Sequence, residues 1–185
     1  MIVTLAELLK KDLSGKVIVF ETDTVYGLGC LYNDSAAVRK IFQIKQRDQQ
    51  KSLALLCAST SQVEPLVQDI RIGEPYTTRY WPGPLTLIFP KNSLVPDLVT
   101  GGRQTVGVRI PDCVTALAIL SHFGPMAVTS LNLSTKPPIL TFSDALQFEG
   151  QVDFVVRGGD LTGSPSTVYE LSSRQTLRQG PIRID

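Results

Sequence analysis

Histidine is almost absent from this chain: His122 stands alone among 185 residues. The three cysteines, Cys30, Cys57 and Cys113, form no C-x-x-C pair. A zinc centre needs several such ligands, so no protein-held metal is expected. An odd cysteine count with apolar neighbours also argues against a disulfide framework. The three are expected as small buried hydrophobes in a reducing compartment. No apolar run exceeds strand length, so neither a membrane span nor a secretory leader is expected, and the expected location is cytoplasmic. Excess charge is lacking too. Eighteen Lys and Arg oppose 17 Asp and Glu, a net charge of +1. No global field draws nucleic acid or an anionic membrane, so any grip on phosphate must be local.

Familiar signatures are also missing. Gly27-Leu28-Gly29 opens a G-x-G-x-x-G pattern, but Tyr32 stands where the third glycine is required. There is no G-x-x-x-x-G-K-[ST] loop and no G-x-S-x-G elbow. His122, between Ser121 and Phe123 on an apolar helix, is read as structural. Asp112 and Asp153 are isolated, and no acid/base pair stands out. A bound nucleotide must therefore be held largely by side chains.

What is present points to one α/β domain spanning residues 1–185. Hydrophobic residues make up 43% of the chain, enough for a sizeable core. Thr4-Leu5-Ala6-Glu7 is a capping box that opens a helix ending before Gly15. Val17 to Phe20 reads as a buried strand. Asp34 or Ser35 caps a helix running through Val38, Ile41 and Phe42 to Lys45. Leu53 to Cys57 is a second strand. Ser61-Gln62-Val63-Glu64 is expected to cap a helix toward Ile70, and Pro75 to Tyr80 to be helical. Strands are expected at Leu85–Phe89, Thr105–Ile110 and Met126–Thr129, with a helix over Val114–Phe123. Ser143–Phe148 reads as a short helix, and Val152–Val156, Thr167–Leu171 and Thr176–Arg178 as late strands. Early alternation with late crowding of strands implies a mixed sheet. Lys91 to Arg103, polar and glycine-containing, is expected to be a mobile loop.

Five polar clusters punctuate these elements. Thr22-Asp23-Thr24 follows the first strand with two hydroxyls and a carboxylate, and Gly27 and Gly29 read as hinges of that turn, allowing angles or approaches that a Cβ would block. Lys45-Gln46-Arg47-Asp48-Gln49-Gln50-Lys51 puts three cations between a helix and a strand. They are either a solvated helix C-terminus or a phosphate clamp. Period two places Thr105, Gly107 and Arg109 on one strand face, either solvated or lining a cleft that suits a carboxylate. Ser130 and Asn132 end another strand. Ser166 and Arg178 lie in or beside the late strands.

In this order, ETDTVYGLG (21–29), KQRDQQKSLALL (45–56), WPGPLTLIF (81–89), TVGVRIP (105–111), AVTSLNLS (127–134), STVYEL (166–171) and LRQG (177–180) resemble the YrdC-like family across essentially the whole chain. That resemblance implies a twisted mixed α/β sheet with flanking helices around a basic concave groove. It also implies synthesis of threonylcarbamoyl-adenylate and pyrophosphate from L-threonine, bicarbonate and ATP, with magnesium carried on the ATP. A tRNA threonylcarbamoyl-transfer complex would be the downstream partner, with weak RNA contact as a further expectation. By the same likeness Thr22, Thr24, Arg109 and Ser166 meet threonine. Arg47, Lys51, Thr105, Ser130 and Arg178 meet ATP. Lys45, Arg47, Lys51, Ser130 and Asn132 carry the chemistry. The alternatives are a double-stranded-RNA-binding module without turnover and a carbamoyl-adenylate transfer module. The chain departs from the family pattern at Glu21, Asp48 and Ser52, where proline is usual or common. It departs again at Leu131, usually alanine, and at Leu56, histidine in many two-domain relatives.

Overall fold

Short apolar runs separated by turn residues become the strands of one sheet. A computed structural model describes residues 1–133 and 136–184; Ser134, which ends the 127–134 segment, lies outside the described residues. The strands are β1 (Ile2–Val3), β2 (Ile18–Phe20), β3 (Gly27–Leu31), β4 (Ala54–Leu56), β5 (Leu85–Pro90), β6 (Thr105–Arg109), β7 (Met126–Ser130), β8 (Phe154–Val156), β9 (Thr167–Glu170) and β10 (Gln175–Arg178). Their order across the sheet is β1-β8-β2-β3-β7-β4-β6-β5-β9-β10. Four pairs are parallel (β1/β8, β2/β8, β4/β6, β5/β9) and the other neighbours are antiparallel, so the sheet is mixed as expected.

The helices are α1 (Leu5–Leu8), α2 (Ser35–Lys45), α3 (Thr60–Val63), α4 (Glu74–Tyr80), α5 (Asp97–Thr100), α6 (Val114–Phe123) and α7 (Phe142–Ala145). Alternation along the strands sorts their side chains between two cores. Leu55, Leu87, Val108 and Ala127 pack with Val38, Ile41 and Phe42 of α2 in one core cluster. In a second cluster Ile18, Phe20, Leu56, Met126 and Val128 pack with Ala116, Ile119 and Leu120 of α6. Each such buried side chain contributes roughly 1.5–3 kcal/mol relative to exposure. The second cluster draws no residue from β5, β6, β9 or β10. There the alternate residues line a hollow instead.

Several expectations are corrected. Gly27 and Gly29 are not hinges; they lie inside β3, and the turn is confined to residues 21–26. Their value is close approach: a Cβ on Gly29 would stand 2.9 Å from Val128 Cγ2 and 3.1 Å from Phe20 Cε1. The Thr4 capping box forms, yet its helix ends at Leu8, and Asp12 accepts from the Ser14 N–H in a competing local turn. The Ser61–Glu64 box does not form. Ser59 takes the N-cap position, its hydroxyl bonds that of Ser61 at 2.8 Å, and Pro65 sits in a 3-10 turn over Glu64–Leu66. The 91–103 connection is packed rather than loose. Lys91 is 8% exposed, donates from Nζ to the Val95 carbonyl at 2.9 Å and pairs with Asp97, while Val95 and Val99 are buried. Cys30 and Cys57 are buried as expected, but Cys113 only partly. His122 is exposed, edge-on to Phe123.

Candidate active site

Seven consecutive strands, β3-β7-β4-β6-β5-β9-β10, contribute to one hollow of about 250 Å3. Period two is visible in its lining: Ala54 and Leu56, Thr86 and Ile88, Gly107 and Arg109, Val128 and Ser130 all face it. The 21–26 turn and the segment before β9 complete the wall. Segments far apart in sequence therefore supply Thr22, Thr24, Arg47, Arg109, Ser130, Ser166 and Arg178 to one surface.

At one end the two threonines form a fixed hydroxyl pair. Thr22 Oγ1 donates to the Val25 carbonyl at 2.7 Å and lies 3.0 Å from Thr24 Oγ1. Thr22 Oγ1 also accepts from the Thr24 and Val25 N–H groups at 3.2 and 3.3 Å, so the backbone of the turn engages it fully. Thr24 Oγ1 in turn accepts from Arg109 Nη1 at 3.2 Å. The same nitrogen donates to Asp23 Oδ1 at 3.0 Å. This ion pair is deeply buried, with 7% and 9% of the two side chains exposed, and Asp23 Oδ2 has no partner among the described residues. Burial pushes the Arg109 pKa down and Asp23 opposes that shift. A guanidinium stays protonated at neutral pH regardless. This end presents a forked cation, already half-neutralised, beside hydroxyls.

The other end is built around α2. Gln46 caps the helix in the left-handed conformation (φ 49°), which turns Arg47 out of the helix immediately after Lys45. Lys45 is 2% exposed. Its Nζ donates to the Ser130 carbonyl at 2.6 Å, the Asn132 carbonyl at 2.9 Å and Asn132 Oδ1 at 2.6 Å. Ser130 Oγ also donates to Asn132 Oδ1, at 2.9 Å. Burial and the charge of Arg47 pull the Lys45 pKa down to about 8. Arg47 donates to Thr129 Oγ1 at 3.2 Å and to the Ser52 carbonyl at 2.9 Å, and its buried Nε has no partner. Arg178, on the edge strand β10, donates to the Ser166 carbonyl and hydroxyl at 2.9 and 3.1 Å. Ser166 Oγ is 2.8 Å from Thr86 Oγ1. Among the described residues, neither Arg47 nor Arg178 has a carboxylate within ion-pair distance.

Four expected site residues stand apart from the lining. Lys45 and Asn132 lie behind it as the support of Ser130. Lys51 is exposed, its N–H closing a turn onto the Asp48 carbonyl. Thr105 shares the Arg109 face but starts β6 opposite Pro90, beyond the rim. The departures have structural accounts. Glu21 bridges Thr115 Oγ1 (2.7 Å) and the Gly159 N–H (2.8 Å), while Tyr26 donates to the Gly159 carbonyl (2.8 Å). The turn is thus braced by side chains where proline would stiffen it. Asp48 Oδ1 accepts from the Gln50 N–H. Leu131 is fully buried outside the lining, whereas Leu56 lines the hollow. Sequence reasoning missed Asp23 as the Arg109 counter-ion, although a buried arginine demands one. It also missed Thr129, whose contact with Arg47 no local pattern announces.

The family model for Sua5, YciO and YrdC, described as telomere recombination, matches residues 11–180. The chain belongs to the Sua5/YciO/YrdC family. Within it, the chain is 40% identical over 162 residues to a threonylcarbamoyl-AMP synthase of Pyrococcus abyssi, covering 85% of this chain and 48% of that one. It is 31% identical over 180 residues to a Vibrio campbellii threonylcarbamoyl-AMP synthase, covering 94% and 97%. It thus spans about half of the archaeal relative and nearly all of the bacterial one. The crystal structure of P. abyssi Sua5 complexed with L-threonine superposes with a TM-score of 0.92 at 34% identity, over 97% of this chain and 57% of that one. The family's mixed α/β sheet is therefore the fold of this chain.

Proposed function

We propose that this chain is a threonylcarbamoyl-AMP synthase, joining L-threonine, bicarbonate and ATP into threonylcarbamoyl-adenylate with release of pyrophosphate. One observation carries the reading: a single hollow has one end where Arg109 stands beside the hydroxyls of Thr24 and Thr22, and another where Arg47 and Arg178, with no carboxylate partner among the described residues, stand with Ser130. At about 250 Å3 it is slightly below the ~300–1,000 Å3 common for small-molecule sites. An amino acid and the reacting phosphates fill it, leaving the nucleoside at the open rim.

The threonine carboxylate takes Arg109. Its hydroxyl bonds Thr24 Oγ1. The free amine adds to carbon dioxide derived from bicarbonate and loses a proton, giving a carbamate. A carbamate oxygen forms a bond to the α-phosphorus of ATP as the bond from that phosphorus to the bridging oxygen breaks and pyrophosphate leaves. Arg47 and the Ser130 hydroxyl face the oxygens on which charge accumulates. Orienting the two reactants contributes up to ~7–11 kcal/mol in favourable cases, so no protein nucleophile is required. Magnesium would arrive on the ATP phosphates. Among the described residues no group of three or more acidic, histidine or cysteine side chains is arranged to hold a metal. The product is a reactive mixed anhydride, suited to an acceptor such as a tRNA-directed transfer complex.

The test is incubation with magnesium-ATP, bicarbonate and each amino acid in turn, with pyrophosphate release measured and the adenylate identified by mass. Threonine-dependent turnover is expected. RNA binding without turnover, or turnover that ignores threonine, would reject the assignment. Arg47→Ala is expected to lose mainly ATP affinity and Arg109→Ala mainly threonine affinity.

A further inference from the structure

Two turns distant in sequence meet at the mouth of the hollow. The N–H of Leu53 donates to the Val99 carbonyl at 2.8 Å, tying the start of β4 to the end of α5. Gly101, in the left-handed region at φ 60°, lets its backbone lie against Gln50; a Cβ there would collide with the Gln50 carbonyl. Thr100 Oγ1 donates to the Arg103 carbonyl at 2.9 Å and fixes the next residue of interest. The result is that Arg103 Nη1 donates to Ser52 Oγ at 2.6 Å.

Ser52 lines the hollow, and its carbonyl already accepts from Arg47 at 2.9 Å. Two guanidinium groups thus converge on one residue, one through its carbonyl and one through its hydroxyl. Among the described residues, neither has a carboxylate within ion-pair distance. An anion seated at Ser52 would be within reach of both forks. Arg103 is exposed and Arg47 half-buried in the lining, so the pair extends the cationic end outward from the hollow. A guanidinium offers several donors in a planar fork suited to phosphate oxygens. The hydroxyl anchor exists because serine stands at 52; a proline there could make no such bond.

We propose that Arg103 is a further phosphate-binding residue, positioned by Ser52, that contacts the terminal phosphates of ATP and then the leaving pyrophosphate. This rests on the synthase reading above for its substrate, while the site it describes is one for a polyphosphate anion.

The experiment is calorimetric titration of the full chain with inorganic pyrophosphate, ATP and AMP, and with L-threonine separately. Arg103→Ala is expected to weaken pyrophosphate and ATP by about tenfold, the loss of one charge-assisted contact, and to leave AMP and threonine unchanged. Ser52→Ala, which keeps the carbonyl for Arg47, should show a smaller loss, and adding it to Arg103→Ala should cost nothing more. Arg39→Ala, on exposed α2 behind the sheet, controls for net charge. Circular dichroism verifies the fold of each variant. Pyrophosphate affinity in Arg103→Ala within twofold of the parent, an equal loss in Arg39→Ala, an equal loss for AMP, or no pyrophosphate binding by the parent would each overturn the proposal. Pyrophosphate binding that depends on Arg103 without threonine-dependent turnover would support this site and sink the synthase reading instead.

Discussion

Substituting Asp23 by asparagine tests how the threonine end is charged. The variant keeps an oxygen for Arg109 Nη1 but removes the counter-charge from a guanidinium whose side chain is 7% exposed. With charge centres about 4 Å apart and an effective dielectric near 20, the lost attraction is about 4 kcal/mol. One gain opposes it. Asp23 Oδ2 is buried with no partner, and an unsatisfied buried group costs about 1–3 kcal/mol that an uncharged amide partly relieves. The lost attraction outweighs this relief, so the net loss is about 1–3 kcal/mol, or roughly 2–12 °C in Tm for a chain of this length. The consequence for binding has the opposite sign. In the parent, Asp23 repels an incoming carboxylate; in the variant, Arg109 has no anion of its own. 3-Hydroxybutyrate, which carries threonine's carboxylate and hydroxyl without the ammonium, should therefore bind Asp23→Asn about tenfold more tightly than the parent, or about 1.4 kcal/mol. Differential scanning fluorimetry with and without the analogue reads both effects. Arg109→Met added to Asp23→Asn should recover part of the lost stability, since removing both charges avoids an orphaned ion. A variant as stable as the parent that also binds the analogue no better would refute the reasoning.

Lys45 predicts a pH dependence. Its folded-state pKa, about 8, lies below the unfolded value near 10.4, so between these the unfolded chain holds more protons and this group raises stability as pH rises. ATP affinity should move the other way, falling as pH rises through about 8, because a neutral amine cannot donate to the Ser130 and both Asn132 oxygens together; Lys45→Met should abolish that limb in a titration series. Gly163→Ala would drive a Cβ into the Thr24 carbonyl, so threonine affinity should fall more than pyrophosphate affinity when both are measured on that variant. Gly29→Ala, with Val128 Cγ2 only 2.9 Å from the added carbon, should destabilise by about 1–3 kcal/mol in urea unfolding.

Alternation and caps made much of this legible. Val106, Val108 and Arg109 announced β6 and its two faces, and Asp34 capped α2 as read, with its side chain accepting from the Ala37 N–H at 3.0 Å. What stayed hidden depended on contacts across the chain. Glycines at 27 and 29 look the same whether they bend a backbone or let Val128 approach it. The Ser61 box was correct as a local pattern but lost to a neighbouring hydroxyl and a proline. The polar 91–103 segment looked loose because Lys91 reads as solvent-seeking, yet its ammonium is held by Val95 and Asp97. Within the site, residue identities were visible and their pairings were not. No spacing rule tells that Arg47 leans on Thr129 or that Asp23, not solvent, faces Arg109.

On the proposed reading, those pairings would let a chain of net charge +1 gather a polyanion. Arg109 is matched by Asp23, so the amino-acid end is nearly neutral when empty and suits a zwitterion, whose own charges cancel. Arg47 and Arg178 are matched only by hydroxyls and carbonyls, which orient a cation without discharging it. Two cations without a carboxylate partner among the described residues therefore share one hollow. Desolvation, deepest at Lys45 and partial at Arg47 and Arg178, lowers the pKa of each. An incoming triphosphate relieves that desolvation cost as it binds. Phosphate affinity should consequently respond to substitutions at Arg47 and Arg178, which line the hollow, far more than to those at exposed lysines such as Lys10 or Lys11, although each change removes the same unit of charge.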